Sequence, residues 1–393
     1  MMKILSVNAG SSSMKFQLFD MPSEKVLVSS TFERIGLNNS FYTIKVNGQK
    51  IKKEASLENH TEAVCLFLNE LQANKFVSNL DEIEAVGHRV VHGGDKYSES
   101  AIIDEKVIED IKSFIPLAPL HNPAGILGIN SIREALPDAV NVAIFDTAFH
   151  QTMEDEAFIY PIPYEWYTEN AVRRYGFHGT SYQYVATRIA DILGTDKYKA
   201  IICHLGNGAS ITAIKDGKCV DTSMGITPIA GIPMGTRCGD IDPSIIEYMM
   251  KTTGKSIDDI MFELNKKSGL LGVSGISSDS RDIEEAIEKG NERAILAQKI
   301  YVRSILSFIA SYYCILGGAD VIAFTAGIGE NSALTRKDIM NALEPLGVKI
   351  DEEANKGRGE ECLISSAASK IKCYVIPTDE ELMMGRETYE LSK

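Results

Sequence analysis

A β-forming run, a tip of small polar residues and a second β-forming run occur twice in this chain, about half its length apart. The first copy runs over residues 3–20, with strands expected at 4–7 and 14–19 and the tip Asn8-Ala9-Gly10-Ser11-Ser12-Ser13 between them. The second runs over 200–217. Its strands are expected at 201–203 and 211–214, flanking His204-Leu205-Gly206-Asn207-Gly208-Ala209-Ser210. A tip without bulky side chains lets backbone N–H groups face an anion, typically phosphate. A single tip of this kind is more often an ordinary hairpin turn. Two of the same construction imply duplicated α/β halves that face each other and grip a polyphosphate from both sides. No Gly-Lys-Ser/Thr follows either tip, and Ile211 stands where a dinucleotide fingerprint needs its third glycine.

With 393 residues the chain has room for two domains with substantial cores. Its formal net charge of −14 argues against nucleic acid or an anionic membrane as partner, since either needs a basic face. It leaves room for a small anionic substrate held by a few local cations. The 7 cysteines include no C-x-x-C pair, and Cys65, Cys203 and Cys314 fall in apolar runs. They read as buried thiols of a reducing compartment. The first strand begins almost at Met1, which leaves no room for a signal peptide. The most apolar helical stretch, 304–316, is too short to span a bilayer. The expected location is the cytoplasm.

Several further segments present chemistry at strand ends. Residues 84–94 (EAVGHRVVHGG) are a strand running into a glycine turn, with Arg89 at its end, where sites collect in open α/β sheets. Such an arginine is either a salt-bridge partner or a site residue, and both readings stay open. Residues 116–123 (PLAPLHNP) place Leu120 and His121 on a proline-punctuated loop, a structural turn or a site. Residues 140–147 read as a buried strand ending in Asp146, and an unpaired buried carboxylate is expensive, which favours a site. In 173–181 (RRYGFHGTS), Thr180 or Ser181 is expected to cap the following helix and set His178 beside its positive end. A lone loop histidine is more often structural.

Residues 223–242 (SMGITPIAGIPMGTRCGDID) show no regular period, and Arg237 is their only basic residue. A loop this long in a compact fold is usually functional, and a guanidinium on it suits bidentate contact with carboxylate or phosphate. Further on come a small-residue loop at 272–281, a long helix over 292–316, and a strand at 321–325 running into a Gly-x-Gly loop. A last strand ends at PTDEE (377–381) before a closing helix. Nearer the start, Val64, Phe67, Leu68 and Leu71 form one helical stripe, Asn47-Gly48 is a tight turn, and His60 sits where the helix begins.

Strand-end glycine loops around two phosphate hairpins imply a two-lobed actin-like ATPase fold of duplicated ribonuclease H-like domains, as in actin and sugar kinases. The segments VNAGSSSMKFQL (7–18), GHRVVHGG (87–94), PLAPLHNP, FDTAFH (145–150), RRYGFHGTS, HLGNGAS (204–210), the 223–243 loop, FTAGIGENS (324–332) and PTDEE resemble the acetate kinase family. The resemblance covers essentially the whole chain. It implies lobes at 1–150, with 384–393 packing back on them, and at 151–383, the nucleotide-binding lobe. Mg²⁺ (or Mn²⁺) would sit at Asn8 and Glu380, with Ser11, Ser13 and Lys15 lining the first hairpin. Arg89 and Arg237 would clamp acetate and the phosphoryl group, with His178 and His121 beside it and Asp146 as the catalytic acid residue. ATP or ADP would be surrounded by His204, Leu205, Gly206, Asn207, Gly208, Asp279, Ser280, Arg281, Gly327, Ile328, Gly329, Glu330 and Asn331. Val91, Leu120, Phe177 and Pro228 would receive the acetate methyl.

The implied reaction is reversible transfer of a phosphoryl group from ATP to acetate, giving acetyl phosphate. An acetate nucleophile, with a carboxyl pKa of about 4, is already ionised at neutral pH and needs no base. Asp146 is therefore read as a partner of an arginine, of Mg²⁺ or of metal-bound water, and not as a proton acceptor. The family is dimeric, and Met249, Met250 and Phe262 suggest apolar helix faces. A propionate or butyrate kinase would share nearly all these residues. A filament-forming or chaperone-like ATPase would share the hairpins but needs a further domain or a polymerising surface.

Overall fold

The computed structural model describes residues 2–46, 48–119 and 121–393. The chain divides into two compact units, Met1–Phe149 with Asp379–Lys393, and His150–Thr378. The closing segment joins the first unit from Asp379, ahead of the 384 expected, because Glu380–Ser392 is one uninterrupted helix capped by Asp379.

In the first unit, β1 (Met2–Ala9), β2 (Ser13–Met21), β3 (Lys25–Glu33), β4 (Phe41–Val46) and β5 (Gln49–Glu54) form an antiparallel meander. Next to β1 lie two parallel strands, β6 (Ile83–Val90) and β8 (Val140–Phe145), with the short β7 (Ala101–Ile102) at the edge. The order is β5-β4-β3-β2-β1-β6-β8-β7. Residues of β1 alternate between two cores. Leu5 and Val7 join the cluster of Phe16, Phe32 and Phe67 beneath the helix His60–Ala73, whereas Ile4 joins Phe19 and Ala85. Phe16 and Phe67 stack at 4.4 Å, and each such ring removed from water contributes roughly 1.5–3 kcal/mol. The helix Glu380–Ser392 packs on β1, β6 and β8. Gly87 is needed beneath it, because a Cβ there would overlap Thr388 Oγ1.

The second unit repeats the plan. β9 (Lys199–Leu205), β10 (Ala209–Lys215) and β11 (Lys218–Thr222) form a meander, and β12 (Val321–Thr325) and β14 (Lys372–Val375) run parallel to β9, with β13 (Cys362–Leu363) at the edge. Thus β3-β2-β1-β6-β8 and β11-β10-β9-β12-β14 are one topology used twice. All of β12 and most of β9 and β10 are buried, as strands covered on both faces are.

The helix Glu292–Leu316 has 25 residues, more than the apolar stretch 304–316 alone, and is long and apolar enough to cross a membrane by length and composition. Here it packs on β9 and β10 through Tyr301, Ile305, Ile309 and Tyr312, the stripe of a core helix.

Four local expectations change. Neither Thr180 nor Ser181 caps the helix Gly179–Leu193; His178 occupies the N-cap at φ +61° without a side-chain cap bond. Residues 326–331, expected as a glycine loop, form the helix Ala326–Asn331, since Thr325 ends the strand and Ala326 turns at φ +63°. Half of the expected 272–281 loop is helical, residues 272–274 in Gly269–Ser274 and 280–281 in Ser280–Glu288. All 7 cysteines are free, but Cys65 and Cys314 are exposed, because on a helix they fall beside the buried stripes and not on them. Asn47 and Leu120 lie outside the described residues; Gly48 takes φ +81°.

Candidate active site

In the first unit the β1–β2 register sets Asn8 opposite Lys15, one step below the tip, where Gly10 N–H donates to Ser13 O at 2.8 Å. His60 anchors that tip from behind, its Nε2 2.6 Å from Gly10 O. Parallel pairing brings the ends of β1, β6 and β8 together, and with them three polar side chains. Arg89 donates from Nε to Asp146 Oδ1 at 2.9 Å and from Nη2 to Oδ2 at 2.7 Å, a bidentate pair. Its Nη1 faces Asn8 Oδ1 at 3.4 Å. Asp146 is buried, whereas the Arg89 side chain keeps 23% of its exposure and remains open to a ligand.

Burial disfavours the Arg89 charge, but the Asp146 carboxylate outweighs it and holds the guanidinium protonated above its ordinary range. Glu380 opens the last helix in the same cluster. Burial raises its carboxyl pKa, Arg89 opposes the rise and Asp146 adds to it. Lys15 stands 4.0 Å from Glu381. Asn8 Oδ1 and the buried Glu380 carboxylate are hard oxygen donors of the kind Mg²⁺ takes. The donor set therefore fits such an ion. Val91 follows β6 directly. His121 forms the N-cap of Asn122–Ala135, with Pro123 in its first turn, so its backbone has a structural role.

In the second unit the tip Gly206-Asn207-Gly208 closes with Gly206 N–H donating to Gly208 O at 3.1 Å. A Cβ on Gly208 would lie 3.3 Å from His178 Nε2 and 3.7 Å from Arg237 Nη1, so the tip, the imidazole and the guanidinium converge on one point. His178 is held by Nδ1 against Ser210 Oγ at 2.8 Å and stacks on His204 at 4.1 Å. Ser210 Oγ in turn meets Tyr182 Oη at 2.6 Å, and His204 Nδ1 meets Ser181 Oγ at 2.8 Å. Sequence reading missed Tyr182 and Ser210 as supports; one helical turn from His178 to Tyr182 was the available signal.

Arg237 donates from Nη1 to Pro228 O at 2.8 Å, and no carboxylate pairs with it among the described residues. Burial lowers its pKa with nothing to offset the cost. A half-buried cation in this state is a place for an anion.

A cavity of about 710 Å³ gathers three separate segments: Gly206 and Asn207, Asp279 to Arg281, and Gly327, Ile328 and Asn331. The remaining expected members stand behind its wall. Leu205 is core, and His204 supports His178. Gly329 packs on Phe324, and Glu330 accepts from Thr378 N–H at 3.1 Å with its pKa raised by burial. Phe177 is buried and its carbonyl lies 2.9 Å from His150 Nε2.

The twice-used sheet, with polar tips and strand ends carrying cations, defines a kinase of the actin-like ATPase fold. The chain belongs to the acetokinase family, whose model matches residues 3–386. It is 53% identical to an acetate kinase of Clostridium botulinum (strain 657 / Type Ba4) over 395 aligned positions, covering 100% of both chains. The crystal structure of Porphyromonas gingivalis acetate kinase superposes with a TM-score of 0.94 at 45% identity, covering 100% of each chain. A propionate kinase from Francisella tularensis gives 0.94 at 43%, covering 99% of this chain and 100% of its own.

Proposed function

We infer that this chain transfers the terminal phosphoryl group of ATP to the carboxylate of acetate, yielding acetyl phosphate and ADP, and catalyses the reverse. The observation that carries the reading is the point beside Gly208 where His178 Nε2 and the unpaired Arg237 guanidinium meet. Phosphoryl transfer spreads negative charge over equatorial oxygens, so positioned donors supply most of the catalysis. The glycine tip has no side chain to obstruct that point, and Ser210 fixes the imidazole so that Nε2 faces it.

In the first unit, Arg89 offers its exposed edge to an oxyanion while Asp146 holds the other. Both carboxylate oxygens of Asp146 are engaged by Arg89, and an ionised acetate presents no proton for a base to take. Asp146 thus orients Arg89. Mg²⁺ held by Asn8 and Glu380 would neutralise phosphate charge. The cavity of the second unit takes the nucleotide, with Asp279–Arg281 and Gly327, Ile328 and Asn331 among its walls.

Asp146→Asn is expected to lower kcat on the order of 10²-fold, through a loosened Arg89, while the pH–rate profile keeps its shape. Loss of one limb of that profile would instead make Asp146 a base. The activity itself is tested by hydroxylamine trapping of the acyl phosphate formed from ATP and acetate; no hydroxamate at millimolar acetate refutes it. Propionate is the second reading, favoured by the equal superposition of the Francisella propionate kinase.

The chain works as a homodimer in the cytoplasm. Helices Ser244–Thr253 and Ile257–Lys266 leave Ile245, Tyr248, Ile257 and Phe262 exposed, a surface suited to a second copy, and the free thiols fit a reducing compartment. Light scattering should give twice the monomer mass.

A further inference from the structure

The cavity of the second unit holds two arginines in different electrostatic states. Arg281 is neutralised by Asp279, with Nε 3.0 Å from Oδ1 and Nη2 2.5 Å from Oδ2. Arg358 also lines the cavity and, among the described residues, forms neither an ion pair nor a hydrogen bond through its guanidinium. Its turn is nevertheless built firmly. The fully buried Arg336 donates from Nη2 to Asn355 O at 2.5 Å and to Gly357 O at 2.8 Å, and from Nη1 to Gly329 O at 2.9 Å. Gly359 N–H adds a bond to Glu330 O at 3.2 Å. The turn carrying Arg358 is thereby tied to the helix Ala326–Asn331, which forms one cavity wall.

That helix also supplies a ruler. Its first turn lies against the phosphate tip, since a Cβ on Gly206 would sit 3.5 Å from Ala326 Cβ. Its far end lies against the Arg358 turn, since a Cβ on Gly359 would sit 3.7 Å from Asn331 Oδ1. At 1.5 Å rise per residue the two ends are about 8 Å apart. This is the span from the phosphates of a nucleotide to its nucleoside. At the nucleoside end a planar guanidinium is suited to stacking on the base.

We propose that Arg358 is a nucleotide-binding residue that covers the purine face of ATP and ADP. The proposal rests on the nucleotide reading of this cavity. Arg358→Ala should weaken ADP binding about tenfold by calorimetry and raise KM for ATP in step, with kcat at saturating ATP within twofold of wild type. Inorganic tripolyphosphate should bind both proteins equally. Arg358→Lys should recover little, because an ammonium keeps the charge but not the plane. Thermal unfolding of each variant checks that the turn is intact. Unchanged ADP affinity in Arg358→Ala overturns the proposal, as does full recovery by lysine or an equal loss for tripolyphosphate, either of which assigns the charge to phosphate. Failure of the wild-type chain to bind ADP would refute the cavity reading itself.

Discussion

Arg89 and Arg237 are both half-buried guanidinium groups, but their surroundings differ. Arg89 has a carboxylate partner and Arg237 has only a carbonyl and a thioether. Arg237 is therefore the cation whose burial goes uncompensated until an anion arrives. Arg237→Ala is expected to reduce kcat about 10²-fold with little change in thermal stability, and added guanidinium ion should restore part of the rate. A variant that melts earlier and cannot be rescued would make the residue structural.

His88, next in sequence to Arg89, behaves oppositely. It is buried in β6, its Nε2 donates to Asn141 Oδ1 at 2.8 Å, and burial pushes its pKa down to about 4 while that bond resists. Below about pH 6.5 the unfolded chain binds a proton there that the folded chain refuses. Stability must then fall as pH drops from about 6.5 to 4, by up to about 3 kcal/mol from this group. Urea unfolding at pH 7.5 and 5 should show a smaller difference for His88→Gln than for wild type.

At the scale of elements, the closing helix is the clearest case of geometry set by one missing atom. Gly87 lets Glu380–Ser392 lie close on β6, and a methyl at 87 would overlap Thr388 Oγ1 and press on Ile144 Cδ1. Gly87→Ala should cost roughly 1–3 kcal/mol, and adding Thr388→Ala should recover part of it, because Thr388 Oγ1 only back-bonds to Met384 O. Additive losses in the two variants would deny the contact.

Nothing in the local sequence announces that packing, because residues 87 and 388 meet only after the whole sheet has formed. The same reason separates what was legible from what was not. The two hairpins were readable because hairpin tips, turn glycines and alternating apolar residues act over a few positions. The helix at 61–71 and the irregular 223–242 loop were readable for the same reason. The His178 N-cap, the helix after Thr325 and the exposed sides of Cys65 and Cys314 depend on backbone angles and neighbours far along the chain. Of the site, Arg89, Asp146, Arg237 and His178 were readable as charged or polar residues interrupting apolar or glycine-rich stretches. The pairing of Arg89 with Asp146 was not, since the residues lie on different strands.

For the molecule as a whole, overall likeness does not decide between acyl acceptors. The acetate kinase and the propionate kinase superpose equally well, at 0.94, with identities of 45% and 43%. One extra methylene in an apolar pocket changes transition-state binding by only about 1–3 kcal/mol, or roughly 10–200-fold in kcat/KM. The 53% identity to a Clostridium acetate kinase favours the smaller acid as the better substrate. We expect kcat/KM for acetate to exceed that for propionate by a factor in that range, and butyrate to fall further. If the pocket discriminates by volume, the decline should lie mainly in KM, since the carboxylate that is phosphorylated is the same in each acid. Hydroxamate assays with the three acids at saturating ATP read this directly. A propionate value equal to or above that for acetate would move the chain to the propionate branch without disturbing the roles given to Arg89, Arg237 and His178.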